Sequence, residues 1–263
     1  MVRRLKRPAA LIAALYFGAL MLAPADAQVA WTGSQPGLET AVIILPNSGG
    51  VPLLVLRIDP THFVFRVQAR PGALLDGAAW TRITPGAAAF INANFYDADR
   101  RAVGLLTADG VQIAPPLAGR GGVFTVERGR IAVLAIHDAG AVERLEQAAQ
   151  GYPMLVRDGV GVYAAARVLD PTARRSAAAI DADGNILLIG TMGVGVSLSD
   201  LSQNLPLTGL GIVNAVNLDG GGSALLVVKS SGAPAGEEGS TPVILAVYPA
   251  PDGTLCRALG NRC

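Results

Sequence analysis

The hydrophobic residues of this chain fall mainly in short runs that are rich in β-branched residues and bounded by glycine, proline or asparagine. Such runs predict β-strands, because glycine and proline favour the turns between them. We predict strands at residues 40–45, 51–58, 63–68, 88–92, 177–180, 186–191 and 212–218. Residues 122–134 are predicted to form a hairpin around Arg128 and Gly129, and residues 28–39 an irregular lead-in.

Three other segments show the spacing of a helix. Residues 76–83 predict a short helix that ends before Pro85, and residues 142–150 place their apolar side chains on one helical face. Residues 197–205 begin with Ser197, which has the spacing of a capping box. Strands and helices together predict an α+β fold, a single domain with a strand-rich mixed sheet and a few helices.

The predicted strand at 212–218 leads into a carboxylate, three glycines and a hydroxyl, namely Asp219, Gly220, Gly221, Gly222 and Ser223. Glycines let a ligand approach the backbone closely, and successive free N–H groups can form an anion-binding nest. Asp-Gly between apolar runs is also a hairpin signal, with residues 224–228 as the returning strand. Both interpretations stand at this point, a binding site and a plain hairpin.

The first 27 residues predict a secretory signal peptide, which leaves residues 28–263 as the mature domain. Basic residues precede an apolar run at 9–22, and Ala25-Asp26-Ala27 gives an A-x-A cleavage site. The run is shorter than the roughly 20 residues that a membrane-spanning helix needs. We therefore expect a bacterial protein that is periplasmic or secreted and has no stable membrane insertion after cleavage.

Composition excludes some classes of function. The net charge is +1 and only 16% of residues are charged, so no basic surface for nucleic acid is predicted. No cofactor is predicted. The chain has two histidines, His62 and His137, and no metal site is predicted, although a requirement for a divalent metal is left open.

Cys256 and Cys263 are expected to form a disulfide in an oxidising compartment. The oligomeric state is left open.

The segment 217–223, Asn-Leu-Asp-Gly-Gly-Gly-Ser, resembles the signature of the phosphodiester glycosidase family. Other segments resemble further motifs of the family in the same order, at residues 89–97, 103–110, 119–124, 147–159 and 175–184. The resemblance covers roughly residues 85–250. The family usually has Gly where Ala93 stands and Phe where Tyr96 stands, which leaves the shape of the sugar pocket open.

The resemblance implies a reaction, cleavage of the bond between a sugar's anomeric carbon and a phosphodiester oxygen. The implied catalytic residues are Asp219, Asn94 and Arg175. The implied substrate-binding residues are Asn92, Phe95, Tyr96, Arg120, Gly220, Gly221, Gly222 and Ser223. Asp219 is the expected nucleophile or acid/base, and the arginines are expected to hold phosphate through paired donors. Arg174 is an alternative to Arg175.

Ordinary glycosidases use two carboxylates, whereas the most specific motif here contains one. Asp97 and Asp181 are the weaker candidates for a second. A phosphodiester leaves as a stabilised anion, so one carboxylate with an arginine at the leaving phosphate is chemically sufficient. Ser223 is not expected to be a nucleophile, because its surroundings break the G-x-S-x-G pattern. The alternative function is a non-catalytic module that binds phosphorylated glycan or cell-wall polymer.

Overall fold

The computed structural model describes residues 29–165, 169–229 and 239–251. The predicted signal peptide, the two cysteines and residues 230–238 lie outside these ranges. Within them the chain is strand-rich with two α-helices, α1 (Gly77–Ile83) and α2 (Leu198–Asn204). None of the helices in the described ranges is long and apolar enough to cross a membrane.

The described strands are mostly short and run through the whole of these ranges. In chain order they are β1 (Thr32–Gln35), β2 (Leu38–Ile44), β3 (Pro52–Ile58), β4 (Phe63–Ala69), β5 (Leu75–Asp76), β6 (Ala89–Asn92), β7 (Phe95–Tyr96), β8 (Ala102–Val103), β9 (Leu106–Ala108), β10 (Val111–Ala114), β11 (Gly122–Glu127), β12 (Arg130–Ala135), β13 (Gln147–Gly151), β14 (Met154–Arg157), β15 (Val160–Gly161), β16 (Ser176–Asp181), β17 (Ile186–Thr191), β18 (Ile212–Asn217), β19 (Leu226–Val228), β20 (Ser240–Thr241) and β21 (Val243–Pro249).

Three sheets make up most of the fold. The largest has eight strands in the order β1-β2-β3-β17-β16-β18-β14-β15. A five-stranded sheet has the order β10-β9-β13-β11-β12, and a four-stranded sheet the order β19-β6-β21-β4. All pairings between the strands described are antiparallel, so several antiparallel sheets replace the single mixed sheet that we predicted.

The main hydrophobic core lies between the eight-stranded sheet and the two smaller sheets. The alternation of side chains along each strand divides the apolar residues between two faces. Leu188 of β17 faces this core, whereas its neighbour Leu187 packs on the opposite face with Leu201 of α2. The rings of Phe65 and Phe124, 5.3 Å apart between centroids, join the four-stranded to the five-stranded sheet.

The helix α1 covers the outer face of the four-stranded sheet. Asp76 caps its first turn by accepting a hydrogen bond from the Ala79 amide, and Trp80 points inward. The Trp80 side chain is fully buried, and its indole N–H donates to the carbonyl oxygen of Thr241 at 3.0 Å. This helix and α2, with its Ser197 cap, begin and end close to the predicted residues.

Two predictions of local structure are wrong, and one of the two open interpretations of the glycine segment is excluded. Residues 142–150 form a 3-10 turn, Val142–Arg144, followed by strand β13, because the backbone of β13 pairs with β9 and β11. The lead-in at 28–39 contains β1 and the start of β2. The strand after the glycine turn, β19, pairs with β6 and not with β18, so Asp219 does not lie in a simple hairpin.

Candidate active site

Asp219 follows the C-terminal end of β18, a strand that lies between β16 and β14 in the eight-stranded sheet. Hydrogen bonds of its backbone hold it in place. Its amide donates to the carbonyl oxygen of Ala93 at 2.9 Å, and its carbonyl oxygen accepts from the side-chain amide of Asn92. The preceding residue, Leu218, donates its amide to the carbonyl oxygen of Ser176 at 2.8 Å. The Asp219 backbone is therefore bonded to the end of β6, and that of the preceding Leu218 to the start of β16.

Asn92 is fully buried beneath this turn and bonds to several segments at once. Its amide oxygen accepts from the Ser176 hydroxyl at 2.6 Å and from the Leu225 amide at 2.9 Å. Its amide nitrogen donates to the Asp219 carbonyl oxygen. The side chain predicted to bind sugar is thus occupied by the protein itself, and it orients the residues on either side of the glycine turn.

The Asp219 carboxyl has polar neighbours within its own turn. The Gly220 amide donates to its Oδ1 atom at 2.8 Å. Burial raises the pKa of the Asp219 carboxyl, and hydrogen bonds from Ser223 and Gly220 offset only part of that rise. The Ser223 hydroxyl also lies 3.3 Å from the Tyr96 hydroxyl, which links Tyr96, Ser223 and Asp219 in one chain of polar groups.

The glycine turn forms a 3-10 turn, and most of its amides already have acceptors in the protein. Gly220 donates to Asp219, and Gly221 donates to the Arg174 carbonyl oxygen at 2.8 Å. Ser223 donates to the Gly220 carbonyl oxygen at 3.1 Å. These three amides therefore do not form the predicted nest of free N–H groups, because they donate to acceptors within the turn and to the Arg174 carbonyl oxygen.

The backbone geometry of the turn explains why two of its three positions are glycine. A Cβ at Gly220 would lie 2.6 Å from the Arg174 carbonyl oxygen, so only glycine permits this close approach. Gly221 has a φ of +60°, a left-handed conformation that glycine adopts without strain. Gly222 is exposed, and a Cβ there would meet no atom within 4 Å. The turn therefore requires the first two glycines, and it leaves open space above the third.

Asn94 is also fully buried, next to the predicted pocket. Its amide nitrogen donates to the carbonyl oxygens of Gly104 at 3.3 Å and Leu105 at 3.0 Å. Its amide oxygen is buried and has no hydrogen-bond partner among the described residues. A buried polar atom of this kind carries a free-energy cost, which marks Asn94 as more than a turn residue.

A cavity of about 200 Å³ opens beside these residues. It is lined by Phe95, Val103, Gly104, Leu117, Arg120, Gln150, Gly151 and Tyr152. Phe95 lies two residues after Ala93, the residue bonded to Asp219. The Tyr152 carbonyl oxygen accepts from the side chain of Asn217, two residues before Asp219, at 2.7 Å. Two walls of the cavity are thus attached to the segments that hold Asp219.

Arg120 lies at this cavity on a loop that Gln150 holds in place. The Gln150 amide oxygen accepts from the Leu105 amide at 2.7 Å and the Leu117 amide at 2.9 Å. Its amide nitrogen donates to the carbonyl oxygens of Leu117 and Arg120, both at 2.8 Å. Gln150 is buried and uses both ends of its amide, so the position of the Arg120 backbone is well defined.

Arg175 differs from Arg120 in what its guanidinium contacts. Its Nε atom donates to the Val196 carbonyl oxygen at 3.0 Å, and one Nη atom donates to the Pro171 carbonyl oxygen. Burial lowers the pKa of Arg175, and the nearby Asp170 carboxylate raises it in part. Arg175 therefore spends donors on the backbone around residues 171–196, whereas the Arg120 side chain is exposed at the cavity.

The two candidates for a second carboxylate lie in turns. Asp181 accepts from the backbone amides of Asp183 and Asn185 at the far end of β16 from Ser176. At the usual rise of a strand that separation is about 16 Å, too far for Asp181 to act with Asp219. Asp97 is exposed and accepts from the Arg101 amide at 2.9 Å. Among the described residues, no group of three or more His, Cys, Asp or Glu is arranged to hold a metal ion.

Some residues of the site were missed at the level of sequence. Gln150 and Tyr152 lie in a segment that resembles the family, but part of that segment was predicted as a helix. Asn217 is buried, and its amide oxygen has no partner in the described ranges. The available signal for Asn217 was a polar residue two positions before Asp219, in a strand that is apolar apart from Asn214 and Asn217.

Comparison with known proteins gives one family and several similar structures. The phosphodiester glycosidase family matches residues 85–248. A crystal structure of a hypothetical protein from Synechocystis has a TM-score of 0.67 at 16% identity, over 84% of this chain and 64% of that one. This chain therefore spans less than two thirds of that protein.

A zebrafish structure is also similar, that of the N-acetylglucosamine-1-phosphodiester α-N-acetylglucosaminidase catalytic domain auto-inhibited by its pro-peptide. The TM-score is 0.63 at 18% identity, over 84% of this chain and 87% of that one. A putative exported protein from Burkholderia pseudomallei has a TM-score of 0.50 at 16% identity, over 76% of this chain and 74% of that one. At these identities the structures show a shared fold. No match is found among curated protein sequences.

Proposed function

This chain belongs to the phosphodiester glycosidase family, and from that membership we propose that it is an exported hydrolase of sugar-1-phosphodiesters. The reaction is cleavage of the anomeric C–O bond, which releases free sugar and a phosphomonoester. The zebrafish enzyme is named for N-acetylglucosamine-1-phosphodiester, so this is the first sugar phosphate to test. Export is part of the proposal because of the basic and apolar leader at residues 1–27.

The observation that carries the proposal is the position of Asp219. It is a partly buried carboxyl at a strand end, in a turn with open space at Gly222, and the segments that hold it are attached to two walls of the cavity that Arg120 lines. Burial raises the pKa of this carboxyl, which makes the ionised form a stronger base. A carboxylate beside the anomeric carbon and a cation beside the phosphate are the two groups that this reaction needs.

The chemistry is a substitution at carbon. Asp219 either attacks the anomeric carbon to form a glycosyl ester, which water then hydrolyses at that carbon, or takes a proton from a water molecule that attacks the anomeric carbon directly. The C1–O bond breaks, its electron pair goes to the phosphate oxygen, and the phosphomonoester leaves as an anion. Arg120 stabilises the charge that develops on this leaving group. The phosphate is already a stable anion at neutral pH, so no second carboxyl is required to protonate it.

The remaining residues have supporting roles in the proposal. Phe95 lines the cavity, and the Tyr96 hydroxyl bonds to Ser223 beside the carboxyl. Asn92 positions the turn from below, and Asn94 holds the segment from Gly104 to Leu105. Arg175 remains the alternative phosphate ligand through those guanidinium donors that the backbone does not use.

Hydrolysis in ¹⁸O-labelled water tests the reaction. We expect label in the anomeric hydroxyl of the released sugar, because water adds to carbon. Label in the phosphate would instead show attack at phosphorus and would contradict the proposal. The anomeric configuration of the first product then separates a nucleophilic role of Asp219 from a role as base, since only the former retains configuration.

Asp219→Asn is the matched control for this assay. The change is nearly isosteric, and we expect kcat to fall by at least about a thousandfold while the fold is kept. A variant with the activity of the wild type would remove Asp219 from the mechanism. Absence of turnover for every sugar-1-phosphodiester would leave the non-catalytic binding module as the function.

A further inference from the structure

The cavity beside Arg120 lies on the phosphate side of the proposed reaction. Arg120 is among its lining residues, whereas Asp219 is held in the adjoining glycine turn. In a sugar-1-phosphodiester the order of groups is sugar, phosphate, alcohol. With the anomeric carbon at Asp219 and the phosphate at Arg120, the group that enters the cavity is the alcohol.

The walls of the cavity are largely apolar. Phe95, Val103, Leu117 and Tyr152 contribute side chains to it. Tyr152 is 42% exposed, and its ring packs edge-on against the ring of Tyr163 with centroids 6.3 Å apart. Val103 and Leu117 are 39% and 41% exposed, so part of each side chain is accessible to a group bound in the cavity.

Apart from the Arg120 guanidinium, which the phosphate would occupy, several polar groups around the cavity are already bonded to the protein. Gln150 uses its amide oxygen twice and its amide nitrogen twice. The carbonyl oxygen of Gly104 accepts from Asn94, and that of Tyr152 accepts from Asn217. Sugar hydroxyls placed here would lose hydrogen bonds to water without full replacement, which costs free energy. An apolar group incurs no such cost.

The volume indicates how large a group the cavity itself holds. A cavity of about 150 Å³ is known to hold benzene in an engineered protein, so about 200 Å³ holds one six-membered ring or a short alkyl segment. From these observations we propose that the cavity is the subsite for the alcohol of the substrate, and that this alcohol is apolar. The proposal rests on the proposed function for the order of groups, and on the cavity itself for its chemistry.

Three esters of N-acetylglucosamine-1-phosphate test the subsite with the whole mature chain. Their alcohols are methanol, cyclohexylmethanol and the 6-hydroxyl of a hexose, which matches cyclohexylmethanol in ring size but carries hydroxyls. We expect kcat/KM for the cyclohexylmethyl ester to exceed that for the methyl ester by about tenfold or more, since apolar area is buried. The hexose ester is expected to be no better than the methyl ester. Equal values for all three esters, or the hexose ester as the best, would overturn the proposal.

A pair of variants localises the effect. Leu117→Ser changes a cavity wall, and we expect it to reduce the preference for the cyclohexylmethyl over the methyl ester several-fold. Val111→Ser changes a residue that is 65% exposed and is not among those lining the cavity, and it should leave the preference unchanged. An unchanged preference in Leu117→Ser would place the apolar contact elsewhere and contradict the assignment.

The outcome for the subsite is separable from that for the reaction. If none of the esters is cleaved, the proposed function fails, and binding of the phosphomonoesters then decides on the subsite. Calorimetry should show cyclohexylmethyl phosphate binding more tightly than methyl phosphate, with the difference reduced in Leu117→Ser. Equal affinity for the two phosphates would overturn the subsite independently of catalysis.

Discussion

The Asp219 carboxyl is the residue on which the proposed chemistry depends, and its burial has a cost in stability. Its pKa is raised mainly because burial disfavours the charged form. The folded protein therefore binds this proton more tightly than the unfolded chain, whose aspartates titrate near about 3.9. By linkage, the free energy of unfolding falls as the pH rises from that value to the pKa in the folded state.

This linkage gives a prediction for Asp219→Asn. The variant lacks the titrating group. The difference in free energy of unfolding, variant minus wild type, should therefore increase as the pH rises above about 3.9. The gain should level off once Asp219 is ionised in the folded protein. Urea unfolding of both proteins between about pH 4 and pH 8 measures the difference. Asp97→Asn, at an exposed turn, controls for the loss of one negative charge, and a difference that shrinks with pH would refute the linkage.

A second prediction at this scale separates the two arginines. Arg120→Ala should raise KM for a sugar-1-phosphodiester with little change in stability, because its side chain is exposed at the cavity. Arg175→Lys should lower the melting temperature, because the guanidinium bonds to the Val196 and Pro171 carbonyl oxygens are lost. Steady-state kinetics and thermal melts of both variants decide. The reverse result, with kinetics altered only in Arg175→Lys, would make Arg175 the phosphate ligand.

Sequence reasoning identified the segment around Asp219 but not the contacts within it. Three glycines after a carboxylate indicated the close approach of a ligand, whereas the group that approaches Gly220 in the structure is the Arg174 carbonyl oxygen. The sequence does not show which way a backbone N–H group points. The amides that we expected to face a ligand are bonded to the protein instead. The burial of Asn92 depends on the packing of two sheets that are remote in sequence, and no local pattern encodes it.

Among the elements, β13 shows why one prediction failed. The predicted helix at 142–150 rested on the spacing of Val142, Leu145 and Ala149, yet β13 lies between β9 and β11 and buries two glutamines. Gln147 accepts from the Val67 amide at 2.9 Å, and Gln150 holds the loop that carries Arg120. These bonds reach across the fold, and tertiary pairing of this kind overrides local preference. Strands whose partners follow along the chain, such as β11 and β12, were predicted correctly.

The role of β13 in holding the Arg120 loop can be tested with Gln150→Glu. A carboxylate keeps the shape and the acceptor but cannot donate to the Leu117 and Arg120 carbonyl oxygens. We expect KM to rise and stability to fall by about 1–3 kcal/mol. A double-mutant cycle with Arg120→Ala separates positioning from general damage. The rise in KM should vanish when Arg120 is already absent, whereas a rise of equal size in both backgrounds would rule out positioning.

For the whole molecule, the position of the last described strand matters most. β21 lies between β6 and β4, so the C-terminal part of the chain completes the four-stranded sheet. Ile244 and Leu245 are fully buried on opposite faces of this sheet. Until β21 has been synthesised, β4 and β6 each have one edge without its hydrogen-bonding partner strand.

Two truncations test this dependence. A chain that ends after residue 251 keeps β21 and loses Cys256 and Cys263, and we expect it to fold and to retain activity. A chain that ends after residue 242 leaves β4 and β6 unpaired along one edge and should not fold. Circular dichroism and hydrolysis assays compare them. A folded, active product of the shorter truncation would show that β21 is dispensable, and loss of activity in the longer one would show that the terminal tail matters.

The buried amide of Asn92 has a consequence for refolding. It joins the strand end that carries Asp219 to Ser176 in the eight-stranded sheet and to Leu225 beside the four-stranded sheet. These bonds can form only after both sheets have docked, however early each hairpin appears. During recovery from denaturant, enzymatic activity should therefore lag behind the circular dichroism signal of the strands. Recovery of activity would therefore mark the last stage of assembly. A trapped intermediate with native-like secondary structure would show no activity in the assay.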